Sequence, residues 1–209
     1  MSPVRLYLAS TSPARLATLR AAGIEPIAIA PGVDEEAAVA EAGPVTAPDM
    51  VMLLARLKAE AVATSNPELD GLILGGDSAF ELDGVVYGKP HLPEVARERW
   101  HAQLGRSGLL HSGHWLIDAR ADGTSKGIGA ASVAKVAFAS DITDAEIDAY
   151  IATGEPLEVA GAFTIDSRGA AFIERIEGDP STVVGLSIPL LRTLTRSLAI
   201  EWHDLWNRS

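Results

Sequence analysis

The apolar and polar positions along the chain alternate between two periods. Val4 to Ala9 (VRLYLA) reads as a buried strand. Ser12 can cap a helix with Pro13 at its first position, and Leu16 and Leu19 follow at helical spacing before a stop at Gly23. Glu25 to Ala30 (EPIAIA) predicts a second strand. Pro31 to Pro48 is acidic and rich in Ala, Gly and Pro, and reads as loop with about one helical turn. Thr46 starts a helix whose apolar stripe is Val51, Leu54, Leu57 and Ala61. LILGGDS is a short apolar strand ending in two glycines and Asp77, and Asp83-Gly84 then joins two apolar runs as a hairpin.

A helix over Pro93 to Leu104 ends at Gly105. HSGHWLIDA and ASVAKVAFAS flank RADGTSKGIGA, which predicts a hairpin with a long mobile loop. Thr143 to Glu146 is a capping box, and its helix carries Ile147, Tyr150 and Ile151 and ends near Gly154. Two strands are expected on either side of DSRGA, and a last helix holds Leu190, Leu191, Leu194 and Leu198. The hairpins imply antiparallel pairs, and the first strand-helix-strand implies a parallel one. The expected fold is therefore mixed α/β, in a single domain over 1–209.

Composition narrows the function classes. The chain has 209 residues, of which 47% are hydrophobic and 22% charged, as in an ordinary globular protein. Its formal net charge of -11 argues against polymeric nucleic acid as partner, although local cations can still bind a small polyanion. There is no cysteine, so disulfides, thiolate metal sites and a cysteine nucleophile are excluded. No secretory pattern opens the sequence and no apolar run is long enough for a bilayer, so no membrane partner and a cytoplasmic location are expected.

Several stretches could carry chemistry, each with a plainer reading beside it. A helix N-terminus offers free N–H groups and partial positive charge. Ser10, Thr11, Ser12 and Arg15 would make that junction a phosphate cradle, or Ser12 is only an N-cap. Asp77, after two glycines at a strand end, is a general base or metal ligand, or it caps a turn. Lys89, in Gly-Lys-Pro on the far hairpin arm, faces a cleft with Asp77 or is solvated. Lys58 borders its helix stripe and either snorkels or sends its ammonium into a site. The loop GVDEE, residues 32 to 36, could hold magnesium with substrate phosphates or simply be solvated. His111 and His114 fall on strand-like sequence, so their rings should point to opposite faces rather than share a zinc ion. The four tryptophans read as core or interface aromatics.

In order, these stretches resemble the Maf (septum-formation) family of nucleoside triphosphate pyrophosphatases. Ser10, Ser12, Pro13, Ala14 and Arg15 resemble its Ser-x-Ser-Pro-Arg-Arg opening, and Val33-Asp34-Glu35 its acidic loop. ARLKA, with Lys58, resembles its lysine helix. Gly76-Asp77-Ser78 and Gly88-Lys89-Pro90 resemble Ala-Asp-Thr and the downstream Gly-Lys-Pro. AGAFTID (160 to 166) and GDPSTVVGL (178 to 186) resemble the late motifs. The resemblance implies a mixed twisted sheet flanked by helices, with two lobes around a cleft as in ITPases. It also implies a homodimer, a nucleoside triphosphate substrate and a divalent metal cation, Mg2+ or Mn2+. By the same resemblance Asp77 is the proton acceptor and Arg15, Lys58 and Lys89 contact phosphate. Ser10, Ser12 and Ser78 bind substrate, Glu35 and Asp77 lie on the metal side, and Asp166 stands where substrate choice is made.

Three positions depart from the pattern. Ala14 replaces the first arginine of a pair, and Ser78 replaces threonine. Asp166 replaces glutamine, and an ionised aspartate only accepts hydrogen bonds. It would favour a base edge rich in N–H donors, such as guanine's, over thymine or uracil. The expected reaction is hydrolysis of a nucleoside triphosphate to monophosphate and pyrophosphate. The alternatives are a nucleotide-binding regulator of cell division that does not hydrolyse, which Ala14 favours, and a phosphomonoesterase releasing orthophosphate.

Overall fold

A computed structural model describes residues 3–121, 123 and 126–208. Its elements are β1 (Leu6–Ala9), α1 (Pro13–Ala21), β2 (Ile27–Ala28), α2 (Glu35–Ala42), α3 (Ala47–Ser65), β3 (Leu72–Leu82) and β4 (Val85–Tyr87). They continue with α4 (Pro93–Gln103), β5 (Ser107–Asp118), β6 (Gly127–Phe138), α5 (Asp144–Ala152), β7 (Ile173–Glu177), α6 (Pro180–Val184) and α7 (Ile188–Ser197). The strands form a seven-stranded mixed sheet in the order β2-β1-β3-β5-β6-β7, with β4 paired to β3. β1 pairs in parallel with β2 and β3, while β3–β4 and β6–β7 are antiparallel. No helix among the described residues is long and apolar enough to cross a membrane.

The chain divides into two compact units. The first holds residues 1–77, 112–132 and 185–209, and the second holds 78–111 and 133–184. In the first unit, strand alternation sorts the core into two layers. Leu6, Leu8, Leu72, Leu74 and Leu116 pack with Leu19 of α1 and Leu191 and Leu194 of α7. Tyr7, Ala9, Ile73 and Ile117 pack on the opposite face with Ala59 and Val62 of α3. The second unit is built on aromatic rings: all four phenylalanines, Trp100 and Tyr150 meet with centroids 5.0 to 5.8 Å apart, mostly edge-on.

Two glycines of β3 explain how close the layers come. A Cβ on Gly75 would stand 2.0 Å from the Ala55 carbonyl oxygen, so the α3 backbone lies directly on the strand there. A Cβ on Gly76 would stand 3.2 Å from Arg15 Nε on the α1 side. The pair therefore admits a helix on one face and a buried arginine on the other.

Several expectations are corrected. The acidic stretch after Pro31 contains an eight-residue helix, α2, capped by Asp34, whose side chain accepts from the Ala37 amide at 3.0 Å. Its alanines favour helix, and Glu35 and Glu36 suit the positive end of its dipole. The buried stripe of α3 is Val51, Leu54, Ala55, Lys58, Ala59 and Val62, while Leu57 is only half-buried. No strand precedes DSRGA: a 3-10 turn over Ala160–Ala162 leads into irregular backbone. α6 was not anticipated. β6 begins at Gly127, earlier than expected, and Asp122, Thr124 and Ser125 of the loop expected to be mobile lie outside the described residues.

Gly75→Ala should lower unfolding free energy by about 1–3 kcal/mol, since helix backbone rather than a flexible side chain must move. Urea unfolding of the variant checks this. A midpoint equal to that of the parent would show that α3 does not press on β3.

Candidate functional site

The junction of β1 and α1 is built as an electropositive turn. Ser12 caps α1, accepting from the Arg15 amide at 3.4 Å, and Pro13 occupies the first turn. The Ser10 hydroxyl oxygen accepts from the Ser12 amide at 3.1 Å and from Arg15 Nη1 at 3.2 Å. Arg15 Nε donates to the Gly185 carbonyl at 2.8 Å. The Arg15 side chain is buried, so desolvation lowers its pKa, opposed by the charges of Asp77 and Glu35. A guanidinium stays protonated in any case.

Beside this turn, α3 presents Lys58 and β3 presents Asp77. Lys58 Nζ donates to Asp77 Oδ1 at 2.7 Å and lies 2.8 Å from Glu35 Oε1, in the first turn of α2. Lys58 and Asp77 are both buried, while Glu35 is half in solvent. Gly75 and Asp77 share the α3 face of the strand, so the close approach at Gly75 sets the reach of Lys58. Burial pushes the Asp77 carboxyl above its ordinary value. The Lys58 and Arg15 charges and the Lys58 hydrogen bond pull the other way without cancelling it. The arrangement can hold an anion on two buried cations and offer it one carboxylate poised to take a proton.

Ser10, Ser12, Arg15, Glu35, Lys58 and Asp77 are thus joined in the first unit. Ser78 is the next residue of β3, half-buried, and opens the second unit. Lys89 and Asp166 belong to the second unit, and both are exposed. Lys89 follows β4 in irregular backbone, where the Gly88 carbonyl accepts from Arg99 and from the Gly161 amide. His111 Nε2 lies 3.1 Å from Glu81 Oε2, and His114 Nε2 accepts from the Ser187 amide at 2.8 Å. Trp100 is core, whereas Trp206 is exposed. The Gly185 carbonyl was not singled out in the sequence. A backbone acceptor has no side-chain signature, although it lies within the GDPSTVVGL stretch.

Comparison with known proteins gives a consistent result. The family profile described as Maf-like protein matches residues 5–198. A Leifsonia xyli protein named nucleoside triphosphate pyrophosphatase is 66% identical, covering 99% of this chain and 98% of its own length. Proteins of the same name from Salinispora tropica and Nocardia farcinica are 50% and 48% identical. Their matches cover 99% and 96% of this chain and 89% and 96% of theirs.

Removing the Lys58 amine should expose the cost of the buried carboxylate. Lys58→Ala is expected to lose about 3–5 kcal/mol of stability at neutral pH, because Asp77 is left charged without its partner. A carboxyl whose folded pKa is raised favours folding when protonated, so the deficit should shrink as pH falls. Denaturant titrations across pH check both. A deficit constant with pH would remove Asp77 as its cause.

Proposed function

The chain belongs to the Maf-like protein family, and we propose that it hydrolyses a nucleoside triphosphate to the monophosphate and pyrophosphate. The observation that carries the reading is the Lys58 ammonium held between Asp77 and Glu35, next to buried Arg15 and the capped start of α1. Those cations and amide dipoles suit a polyphosphate tail. The curated relatives' shared name, nucleoside triphosphate pyrophosphatase, supports the choice of substrate class and product.

In this mechanism the phosphates take up Lys58 and Arg15, with Ser10 and Ser12 adding hydroxyl and cap contacts. The exchange frees Asp77 from its ion pair. Its carboxylate orients a water and accepts the proton as the water oxygen bonds to the α-phosphorus. The bond from that phosphorus to the bridging oxygen breaks, and pyrophosphate leaves with the electron pair. Positioning and charge stabilisation supply most of the rate. Lys89 as a phosphate contact, Ser78 as a substrate contact and Asp166 as the base-facing residue are assigned by the motif resemblance alone. With Ala14 in place of arginine, one cationic contact of the family pattern is lost or moved.

A divalent cation, magnesium or manganese, belongs to the same proposal. Glu35 and Asp77 each reach within 2.8 Å of one point, the Lys58 nitrogen, and magnesium takes one or two such carboxylates with phosphate oxygens completing its shell. The donors fit, although no group of three or more acidic or histidine side chains is found among the described residues. Glu35 and Asp77 would hold the ion, which when bound neutralises phosphate charge.

Chromatography of products from a panel of triphosphates is the direct test. Pyrophosphate with monophosphate supports the proposal, orthophosphate points to a phosphomonoesterase, and binding without turnover to a regulator. Asp77→Asn should keep KM and lower kcat at least about 100-fold. In the parent, the acid limb of kcat/KM should lie above the ordinary aspartate range, because burial raises the Asp77 pKa. Wild-type turnover in Asp77→Asn would refute the base. Lys89→Ala should raise KM and lower kcat, and unchanged kinetics would take Lys89 out of the site.

A further inference from the structure

The loop that carries Asp166 is held by neither ladder nor helix. Residues 163–167 run irregularly between the 3-10 turns Ala160–Ala162 and Arg168–Phe172. Irregular backbone needs other partners for its polar groups. Here one side chain gathers them. Glu155, just after α5, accepts at Oε1 from the Thr164 hydroxyl at 2.6 Å, the Tyr150 hydroxyl at 2.9 Å and the Gly169 amide at 3.1 Å. Its Oε2 accepts from the Ser167 hydroxyl at 2.8 Å and the Arg168 amide at 3.4 Å, with the Arg168 guanidinium at 3.5 Å.

Thr164 and Gly169 are therefore two ends of a loop tied to a single carboxylate. The closure is tight: a Cβ on Gly169 would stand 2.6 Å from both the Thr164 carbonyl oxygen and the Tyr150 hydroxyl. Tyr150 anchors the knot to the core, edge-on to Trp100 at 5.6 Å. Asp166 stands exposed between the tied residues. Burial works against the Glu155 charge, yet the bonds from Thr164, Ser167, Gly169 and Tyr150 overcome it and bring the carboxyl down to about 2. The knot is thus ionised throughout the physiological range.

We infer that Glu155 is a positioning residue for nucleobase selection: by tying both ends of the 164–169 loop it fixes where the Asp166 carboxylate meets the base. The inference rests on the reading of Asp166 as the base-facing residue. A carboxylate accepting from adjacent N–H groups on one base edge discriminates only if its two oxygens are held in place. With the loop untied, the Asp166 side chain loses its register, so preference among bases falls while the phosphate chemistry continues.

The test compares the parent with Glu155→Gln, Asp166→Asn, Ser167→Ala and the Glu155→Gln/Asp166→Asn double variant. Each is assayed with GTP, ATP, CTP, UTP and dTTP for kcat and KM. Glu155→Gln and Asp166→Asn should each reduce the ratio of kcat/KM between best and worst base by about tenfold. The loss should fall on KM, with kcat within about twofold. The double variant should lose no more than Asp166→Asn alone. Ser167→Ala removes one exposed hydroxyl and should shift the ratio less, in the same direction. Amide exchange at Gly169 should quicken in Glu155→Gln. Parental ratios in Glu155→Gln beside flattened ratios in Asp166→Asn would overturn the role of Glu155 alone. A uniform fall in kcat with unchanged ratios would do the same. Parental ratios in Asp166→Asn would sink the reading of Asp166 itself, and this inference with it. If Glu155→Gln fails to fold, Ser167→Ala decides, and parental ratios there overturn the proposal.

Discussion

Burying a lysine ammonium is unfavourable unless charge and hydrogen bonds replace the lost water. Lys58 meets that condition with two carboxylates, Asp77 at 2.7 Å and Glu35 at 2.8 Å. Much of the first unit follows from satisfying it. α3 must lie close enough on β3 for the amine to reach, which Gly75 permits. α2 must begin where Glu35 can turn back, and the Asp34 cap starts it there. With Arg15 included, two cations face two anions, so the cluster carries no net formal charge. In the proposed reaction an arriving polyphosphate would meet cations already largely buried, where electrostatic attraction is stronger than in bulk solvent.

The same interaction shows why the site was only partly legible in the sequence. A stripe drawn through apolar residues of α3 selects Leu57 and Ala61, and leaves Lys58 at its border. The structure turns the helix so that Lys58 lies within the buried stripe and Leu57 at its edge. The hydrophobic pattern marks the core face only where that face is apolar, and here a buried charge lies on it. Motif order, rather than periodicity, is what made Lys58 a candidate for the site. β1, α1, the β3–β4 hairpin and the capping box at Thr143 were legible because turn and cap residues flank clear periodic runs. α2 was not, because an exposed alanine-rich helix has no stripe to show. The start of β6 was hidden for a related reason. Gly127 and Gly129 pack against Trp115 without a side chain of their own, so they read as loop.

The expected strand before DSRGA failed for a further reason. Phe163 and Ile165 alternate with polar residues as a half-buried strand would, yet Thr164 and Ser167 spend their hydroxyls on Glu155. Local side-chain bonds offered the backbone an alternative to a ladder. Nothing in Gly154-Glu155-Pro156 announces this, since the donors come from residues nine to fourteen positions downstream as well as from Tyr150.

Glu155 and Asp77 make an instructive contrast, because burial raises the pKa of both and only one stays raised. Around Glu155 two backbone amides and three hydroxyls donate directly to the charged form, and the bonds from Thr164, Ser167, Gly169 and Tyr150 bring it down to about 2. Around Asp77 the compensation comes from Lys58 and Arg15, cations that a substrate would itself attract, and it leaves the carboxyl above its ordinary value. A carboxylate meant only to fasten a loop is best served by donors that never leave. In the proposed mechanism Asp77 instead has cationic partners that an arriving polyphosphate would draw toward itself, freeing the carboxylate to orient a water. The donor sets around the two side chains fit the roles proposed for them, fastening a loop for Glu155 and accepting a proton for Asp77.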